Sequence, residues 1–256
     1  MWNDRFDLIA EYYDLIHGHL DEDLPMWQAL TQDAAGPILE IGCGSGRLLV
    51  PLAGAGHRLT GLDLAEVALN AARAKLEGVG LTGQVALVQA DMRDFDLPQQ
   101  DFAVALVALN TLMHCHSLEE QLATLRAIHK HLAPAGRLII DLFYPHPELL
   151  AEADGRLNFE ADLVDDLTGR TVQWYWRHDI DLARQMRHLT YILDEIDADG
   201  HVRRSQLPFT LRYIYRYEME LLLQATGFSL ESVYGSYELE PFDSDSPRMI
   251  VVAQKT

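Results

Sequence analysis

The sequence is poor in the features that mark secreted and membrane-bound proteins. It holds only two cysteines, Cys43 and Cys115, which is too few for a disulfide framework and fits a reducing compartment. Acidic residues near the first methionine stand where a signal peptide needs basic ones. No uncharged apolar run approaches the ~20 residues that span a bilayer. We therefore expect a cytoplasmic protein with no membrane as a partner.

Positive charge is also scarce. Twenty Lys and Arg stand against 39 Asp and Glu, which gives a formal net charge of −19. A surface of this sign repels phosphate backbones and anionic lipids, so nucleic acid is not expected as a partner. Residues 155–217 are the exception, because nine arginines there nearly balance ten acidic residues. This stretch has a different kind of surface from the rest of the chain.

Short apolar runs alternate with helical patterns as far as Phe143. The apolar runs cover 36–42, 57–63, 84–91, 102–110 and 137–143, and helical spacing covers 46–56, 65–80 and 117–136. Strands that are buried on both faces of a parallel sheet are apolar almost throughout, as these runs are. Ser117 and Glu120 form a capping box at the start of the third helix. The alternation predicts a doubly wound α/β sheet.

The pattern changes after Phe143. Residues 171–181, 184–197 and 201–209 have the composition of antiparallel strands, and Asp199-Gly200 marks a hairpin turn. In the first of these strands, Trp174 and Trp176 share the apolar face that we expect to pack on the α/β core. A helix over 217–227 and strands over 228–235 and 248–254 return to the sheet. The sequence thus predicts a β meander inserted late in the α/β unit, placed to form a lid.

A glycine-rich turn, LEIGCGSG, follows the first predicted strand. Its glycines, Gly42, Gly44 and Gly46, permit positive φ and let a ligand touch the backbone, and the start of the next helix favours an electronegative group. The alternative is a tight turn with a purely structural role. The NAD fingerprint needs its third glycine at Arg47, where close packing demands a small residue. The spacing therefore speaks against a dinucleotide.

Two acids end the next two strands. Asp63 stands where a carboxylate can accept both ribose hydroxyls, and Asp91 with the Met92 backbone can hold an adenine edge. Ligands of open α/β sheets bind outside the carboxyl ends of the strands, where all these residues lie. A helix N-cap or a turn explains either acid alone equally well. Together with the glycine turn, they predict a nucleoside site.

With these motifs, the chain resembles the class I S-adenosylmethionine-dependent methyltransferases over nearly its whole length. The resemblance rests on LEIGCGSG, GLD with Asp63, QADMRDF with Asp91, LAPAGRLIIDLF, and the closing GF…RMIVVAQ pair. The AEYYDLIH opening is similar to a small-molecule subgroup that includes sugar-amine and glycine-type N-methyltransferases. The resemblance implies a Rossmann-like seven-stranded sheet of order 3-2-1-4-5-7-6, with strand seven antiparallel and an inserted antiparallel β-sheet lid.

The resemblance also implies a division of the chain and a set of cofactor contacts. The segments are an N-terminal helical lid segment (1–36), a cofactor-binding core (37–146), an inserted β subdomain (147–212) and the C-terminal part of the core (213–256). The cofactor would be S-adenosyl-L-methionine, which leaves as S-adenosyl-L-homocysteine. The expected cofactor-binding residues are Tyr13, Glu40, Gly42, Cys43, Gly44, Gly46, Arg47, Asp63, Leu64, Asp91, Met92, Leu109 and Asn110. One departure is Ala135, where the family usually has glycine.

Methyl transfer from a sulfonium is an in-line displacement, in which alignment and exclusion of water carry most of the acceleration. A base is needed only if the acceptor arrives protonated or is a weakly acidic hydroxyl. His114 and Tyr13 are the catalytic candidates, and the expected substrate contacts are His114, His116, Tyr12, Tyr175 and Arg177. An arginine in the inserted stretch would suit a carboxylate or phosphate on the acceptor. Hydrogen bonding to backbone, or packing, is the alternative role for each.

The sequence therefore predicts a methyltransferase of a small-molecule acceptor, with N-methylation slightly preferred to O-methylation. Two alternatives stay open: an NAD-dependent oxidoreductase and a non-catalytic protein that binds S-adenosylmethionine. No metal is expected, because no paired-acid motif accompanies the three His-x-His pairs. These pairs are His17 with His19, His114 with His116, and His129 with His131. The oligomeric state, monomer or homodimer, is left open.

Overall fold

The computed structural model describes residues 3–18, 20–164, 169–197 and 199–256. The strands are β1 (Ile38–Ile41), β2 (Leu59–Asp63), β3 (Val85–Gln89), β4 (Phe102–Val107), β5 (Leu132–Phe143), β6 (Asn158–Val164), β7 (Thr171–Asp181), β8 (Met186–Ile196), β9 (Val202–Arg212), β10 (Phe228–Tyr234) and β11 (Arg248–Lys255). The helices are α1 (Asn3–His17), α2 (Leu24–Thr31), α3 (Leu49–Gly54), α4 (Glu66–Gly78), α5 (Leu118–His131), α6 (Pro147–Ala151) and α7 (Arg216–Ala225). A 3-10 turn covers Thr111–His114.

The central sheet confirms the predicted topology. Its seven strands follow the order β10-β11-β5-β4-β1-β2-β3, and β11 runs antiparallel to β5 and to β10. The inner strands are apolar because both of their faces are covered: all four residues of β1 are buried. The carboxyl ends of β1 to β5 meet at one edge of the sheet, and this edge carries the predicted glycine turn and acids.

The inserted sheet has four antiparallel strands in the order β6-β7-β8-β9. The predicted meander corresponds to β7, β8 and β9, and the expected hairpin pairs Ile196 with Val202 around a left-handed Gly200 (φ 82°). The sequence analysis missed β6, because this edge strand is largely exposed and carries no apolar run that would identify it.

Helix α1 lies between the two sheets and joins them. Its Ile9, Leu15 and Ile16 belong to an apolar cluster with Val172 and Trp174 of β7. Trp174 was predicted to pack on the α/β core, and this prediction is wrong. Trp174 packs on α1 instead, because the N-terminal helix covers this part of the inserted sheet. The period-two pattern shows that one face of the strand is apolar and buried. It does not show whether α1 or the central sheet covers that face.

Strand β5 begins earlier than the sequence predicts. It starts at Leu132 and includes Pro134, Ala135 and Gly136, which were expected to form the turn after α5. Ala135 has a φ of 59°, in the left-handed region that a glycine adopts at no steric cost. This conformation accounts for the glycine that the family usually has here. Among the described residues, no helix is long and apolar enough to cross a bilayer.

Candidate active site

A cavity of about 290 Å³ lies over the carboxyl ends of the central strands. One side, here called the loop wall, is formed by the turns after β1 to β4: Glu40, Gly42–Gly44, Arg47, Leu62–Ala65, Ala90–Arg93 and Ala108–Thr111. The opposite side, here called the lid wall, is formed by Arg187, Leu189 and Tyr191 of β8 with Phe209 and Leu211 of β9. Helix α1 adds Ile9, Ala10, Tyr13 and His17, and His114 also lines the space.

Two glycines of the turn lie so close to neighbouring segments that a side chain would crowd the neighbour at either position. Gly42, Gly44 and Gly46 all have positive φ, at 69°, 54° and 82°. A Cβ on Gly42 would lie 2.5 Å from Cγ2 of Thr111, so the loop packs directly on the segment after β4. Gly46 faces helix α4 in a similar way, with its hypothetical Cβ 3.2 Å from that of Ala72. The sequence predicted this loop, but not the close approach of Thr111.

Asp63 connects two segments of the loop wall. Its Oδ2 accepts a hydrogen bond from the Gly44 amide at 2.8 Å, and its Oδ1 accepts one from the Ala65 amide at 2.9 Å. An ionised carboxylate offers about four lone-pair positions, so it can take further donors while keeping both of these bonds. Leu64, the next residue, lines the cavity beside it.

Asp91 has a partner that the sequence analysis missed. Arg93 donates from Nε and Nη2 to the Asp91 carboxylate, at 2.9 and 2.6 Å, and also binds Glu120 of α5. These charged hydrogen bonds lower the pKa of Asp91, so the carboxylate stays ionised. The spacing D-x-R in QADMRDF was the available signal. Met92, which lies between Asp91 and Arg93 in the sequence, also lines the cavity.

Glu40 is 3% exposed, and its Oε2 has no hydrogen-bond partner among the described residues. Burial raises its pKa to about 8, despite the opposing influence of Arg47. Arg47 lines the cavity, but its two Nη atoms hold the buried Asp23 at 2.6 and 2.7 Å. Arg47 thus fixes the start of α2 against the glycine turn. The Asp23 carboxylate also accepts from Trp27 Nε1 at 2.8 Å.

The segment after β4 is held in an unusual backbone conformation. Leu109 and Asn110 both have positive φ, at 44° and 66°, although neither is glycine. The Leu109 amide donates to Oδ2 of Asp141 at 3.1 Å, and Oδ1 of Asn110 accepts from the Phe143 amide at 2.6 Å. Asp141 is fully buried and pairs with Arg248 of β11. Sequence reasoning missed this pair, because its members are 107 residues apart.

Helix α1 is attached to the glycine turn and to the inserted sheet. Tyr13 lies over the turn, with its ring 3.8 Å from the Cβ position of Gly44, and burial raises the pKa of its hydroxyl to about 12. Asp14 accepts hydrogen bonds from Ser45 of the turn and from Lys75 of α4. Tyr12 points elsewhere: it binds Glu195 and Ser205 of the inserted sheet and does not line the cavity.

The two histidines after β4 have different positions. His114 lines the cavity with its ring centroid 6.3 Å from that of Phe209, and burial lowers its pKa to about 4. His116 does not line the cavity. Its Nε2 lies 2.8 Å from the Thr210 carbonyl oxygen, and its amide donates to Glu120. The structure therefore brings His114 to the cavity and uses His116 to tie this segment to β9.

The substrate contacts predicted on β7 are not part of the cavity lining. Arg177 is exposed, and the Tyr175 hydroxyl donates to Gln173 on the same strand at 3.0 Å. The inserted sheet does contribute an arginine and a tyrosine to the cavity, but these are Arg187 and Tyr191 of β8. Their period-two spacing with Leu189 was visible in the sequence, although nothing local indicated that β8 rather than β7 faces the cavity.

The cysteines and the His-x-His pairs are the remaining sequence candidates for redox or metal chemistry. Cys43 and Cys115 are both buried and free, as expected for small core residues. Among the described residues, one group of possible metal ligands is present, Asp197, Asp199 and His201 in the exposed β8–β9 turn. It contains no member of the His-x-His pairs, of which His19 lies outside the described residues.

The chain was compared with protein families and with known proteins to identify what the cavity resembles. Residues 38–136, which contain the whole loop wall, match the family model described as a methyltransferase domain. In sequence, the chain is 28% identical over 248 residues to the cypemycin N-terminal methyltransferase of a Streptomyces species, covering 96% of this chain and 95% of that protein.

Two solved structures are similar over nearly the whole chain. One is the CcbJ methyltransferase from Streptomyces caelestis, with a TM-score of 0.79 and 25% identity over 92% of this chain and 95% of that chain. The other is CalS10 with bound S-adenosylmethionine, an amino pentose methyltransferase from Micromonospora echinaspora involved in calicheamicin biosynthesis (TM-score 0.70, 25% identity, 100% of this chain and 92% of that chain). The matched domain and these proteins indicate a methyltransferase rather than an oxidoreductase.

Proposed function

Since this chain is an S-adenosylmethionine-dependent methyltransferase that acts on small molecules, we propose that its acceptor is an amine and that nitrogen is preferred to oxygen. Two relatives support the amine by their names: one acts at the N-terminus of cypemycin, and the other is named for an amino pentose. The surroundings of His114 support it independently.

The loop wall suits the cofactor by its shape and by its hydrogen-bonding groups. Asp63 would accept hydrogen bonds from the two ribose hydroxyls, and Asp91 with Met92 would hold the adenine edge. The glycine turn, Leu109 and Asn110 would line the methionine end, and Glu40 would orient the turn. When bound, S-adenosylmethionine supplies an electrophilic methyl carbon on a positively charged sulfur. Tyr13, which covers the turn and stays protonated, would exclude water there.

The neutral imidazole of His114 in an apolar pocket is the observation that carries the proposal. Burial lowers its pKa to about 4, and Phe209, Leu189 and Leu211 line the same cavity. An ammonium group that enters this environment loses its hydration, so its pKa falls and the free amine is favoured. A ring nitrogen of His114 can then accept an N–H hydrogen bond and direct the nitrogen lone pair.

The same histidine makes an alcohol the poorer acceptor. An unactivated hydroxyl needs a base that removes its proton as the new bond forms. An imidazole with a pKa of about 4 is a weaker base than an ordinary histidine. The lone pair of an amine needs no such base, so orientation and desolvation are sufficient for it.

The test is turnover on matched acceptor pairs that differ only in bearing an amine or a hydroxyl. Formation of S-adenosylhomocysteine is measured for the wild type, for His114→Leu, and for the matched control His201→Asn at an exposed histidine (81% side-chain exposure). We expect amines to be methylated. We also expect H114L to lower kcat about 100-fold, because the amine lone pair is no longer aligned, with affinity for S-adenosylhomocysteine nearly unchanged.

Preferential turnover of the hydroxyl members of the pairs would contradict the nitrogen preference. An unchanged kcat in H114L, equal to that of H201N, would remove His114 from the reaction while leaving the methyltransferase activity intact.

A further inference from the structure

Arg187 is the charged residue of the lid wall, and the reaction as described above does not use it. It lies on β8 and is half-buried, and its guanidinium carbon sits 5.2 Å from the centroid of the Phe143 ring. Its Nε donates to Nδ1 of His178 at 2.8 Å. Because His178 accepts through Nδ1, its proton lies on Nε2 and the ring is neutral. This histidine therefore orients the guanidinium without neutralising it.

The other two arginines of the cavity are already paired with acids. Arg47 holds Asp23, and Arg93 holds Asp91. No carboxylate of a described side chain lies within 4.0 Å of the Arg187 guanidinium. Of the three arginines that line the cavity, Arg187 is therefore the one with no acidic partner among the described side chains.

Leaving this cation uncompensated has a cost that packing does not explain. Removing a charge from water is unfavourable unless an opposite charge or several hydrogen bonds replace the solvent. Burial already lowers the pKa of Arg187, and the stacked Phe143 recovers only part of the lost hydration. A leucine or methionine would fill the space on Phe143 without that cost. The position is therefore better explained by a ligand that brings the negative charge.

From this placement we infer that the methyl acceptor carries an anionic oxygen group, a carboxylate or a phosphate, which Arg187 binds through its two Nη atoms. The planar fork of the guanidinium matches two oxygens of either group. Tyr191, also on the lid wall, keeps its proton because burial raises its pKa, and it offers a further donor. The inference rests on the proposed function, since it describes the molecule that receives the methyl group.

The first experiment uses matched acceptors. Amino acids are compared with their amides, and amino-sugar phosphates with the free amino sugars, by formation of S-adenosylhomocysteine. The proteins are the wild type, Arg187→Gln, Arg187→Lys and the control Arg184→Gln, whose side chain is 80% exposed in the β7–β8 turn. We expect anionic members to be preferred, and R187Q to raise their KM about 10- to 100-fold with neutral members unaffected. The acid and phosphate arms distinguish the two sources of charge.

A second measurement does not depend on finding an acceptor. Acetate and inorganic phosphate are titrated into the complex with S-adenosylhomocysteine, and the shift in Tm is recorded for the same four proteins. We expect a stabilising shift in wild type and R184Q that is absent in R187Q and reduced in R187K. An equal shift in R187Q, or equal turnover of neutral and anionic acceptors by the wild type, would overturn the inference. Failure of the wild type to bind S-adenosylhomocysteine would instead count against the function itself.

Discussion

The two walls of the cavity hold their charged groups differently. On the loop wall, Asp63 accepts hydrogen bonds from two backbone amides, and Asp91 forms a salt bridge with Arg93. On the lid wall, Arg187 contacts a neutral histidine and an aromatic ring. A wall whose charges are already fixed is preorganised for one ligand, whereas an unneutralised cation selects among ligands by their charge. We therefore expect the loop wall to hold the cofactor and the lid wall to choose the acceptor.

The largest expected effect comes from breaking the loop wall at Asp63. In Asp63→Ala the Gly44 and Ala65 amides lose their acceptor, and the cofactor ribose loses the expected one. Each charged hydrogen bond contributes about 1.5–3 kcal/mol, so loss of the two ribose contacts should lower affinity for S-adenosylhomocysteine about 100- to 10,000-fold. Calorimetric titration of S-adenosylmethionine, S-adenosylhomocysteine and NAD measures this.

The matched control for that experiment is Asp33→Ala, at an exposed acid outside the cavity. Wild type and D33A should bind the two adenosyl ligands equally and should not bind NAD. If D63A bound S-adenosylhomocysteine as tightly as D33A, the loop wall would not hold the ribose as proposed.

The next effect concerns stability and the support beneath the loop wall. Arg248→Met leaves Asp141, which is 0% exposed, as an uncompensated buried charge next to the Leu109 amide. Breaking a buried pair in this way costs about 3–5 kcal/mol. Urea unfolding should show this loss, and cofactor affinity should fall with it because Leu109 and Asn110 lose their support.

The double variant D141L/R248M separates charge from shape. Replacing both partners with apolar residues removes the buried charge, so it should recover part of the stability that R248M loses. A double variant that is less stable than R248M would show that the Asp141 hydrogen bonds matter more than the unpaired charge.

The sequence predicted the loop wall far better than the lid wall. Gly42, Asp63 and Asp91 are each identified by neighbours within a few residues, because the end of a parallel strand and the following turn are local features. The order of the central sheet came from the family resemblance and is confirmed. Local patterning also located β7, β8 and β9, with the hairpin at Gly200.

What the sequence could not give depends on contacts between distant segments. Whether Arg177 or Arg187 faces the cavity depends on how the inserted sheet packs against α1, and both strands have the same period-two pattern. The pairs Arg47–Asp23 and Arg248–Asp141 join residues that no spacing rule relates. Arg93 is the exception, since it lies two residues after Asp91 and was within reach of local reasoning.

A third prediction uses pH to probe the loop wall. Burial raises the pKa of Glu40 from 4.5 to about 8, so the folded protein binds this proton more tightly than the unfolded chain. The resulting stability is fully present below pH 4.5 and is lost as pH rises toward 8. His17 and His114, with pKa values lowered from 6.5 to about 4, act in the opposite direction, mainly below pH 6.5 and more weakly up to about pH 7.5.

Between pH 6.5 and 8 the Glu40 contribution therefore dominates among these three groups. We expect the free energy of unfolding to fall by about 1 kcal/mol over this interval in the wild type, and not in Glu40→Gln. Urea unfolding at the two pH values measures the difference. The control Glu231→Gln, at an exposed residue, should keep the decline. A decline of equal size in E40Q would assign it to another group.

The smallest expected effect tests whether α1 couples the two walls. Tyr12→Phe removes the hydrogen bonds to Glu195 at 2.8 Å and to Ser205 at 3.0 Å, while the Asp14 contacts to the glycine turn remain. At about 1 kcal/mol for the lost bonds, acceptor KM should rise about fivefold with cofactor affinity unchanged. Amide hydrogen exchange should increase in β8 and β9 but not in the glycine turn. Tyr217→Phe, at a side chain that is 79% exposed, should change neither quantity. If Y12F instead weakened cofactor binding as much as acceptor binding, the two walls would respond as one unit, and the division of roles between them would have to be abandoned.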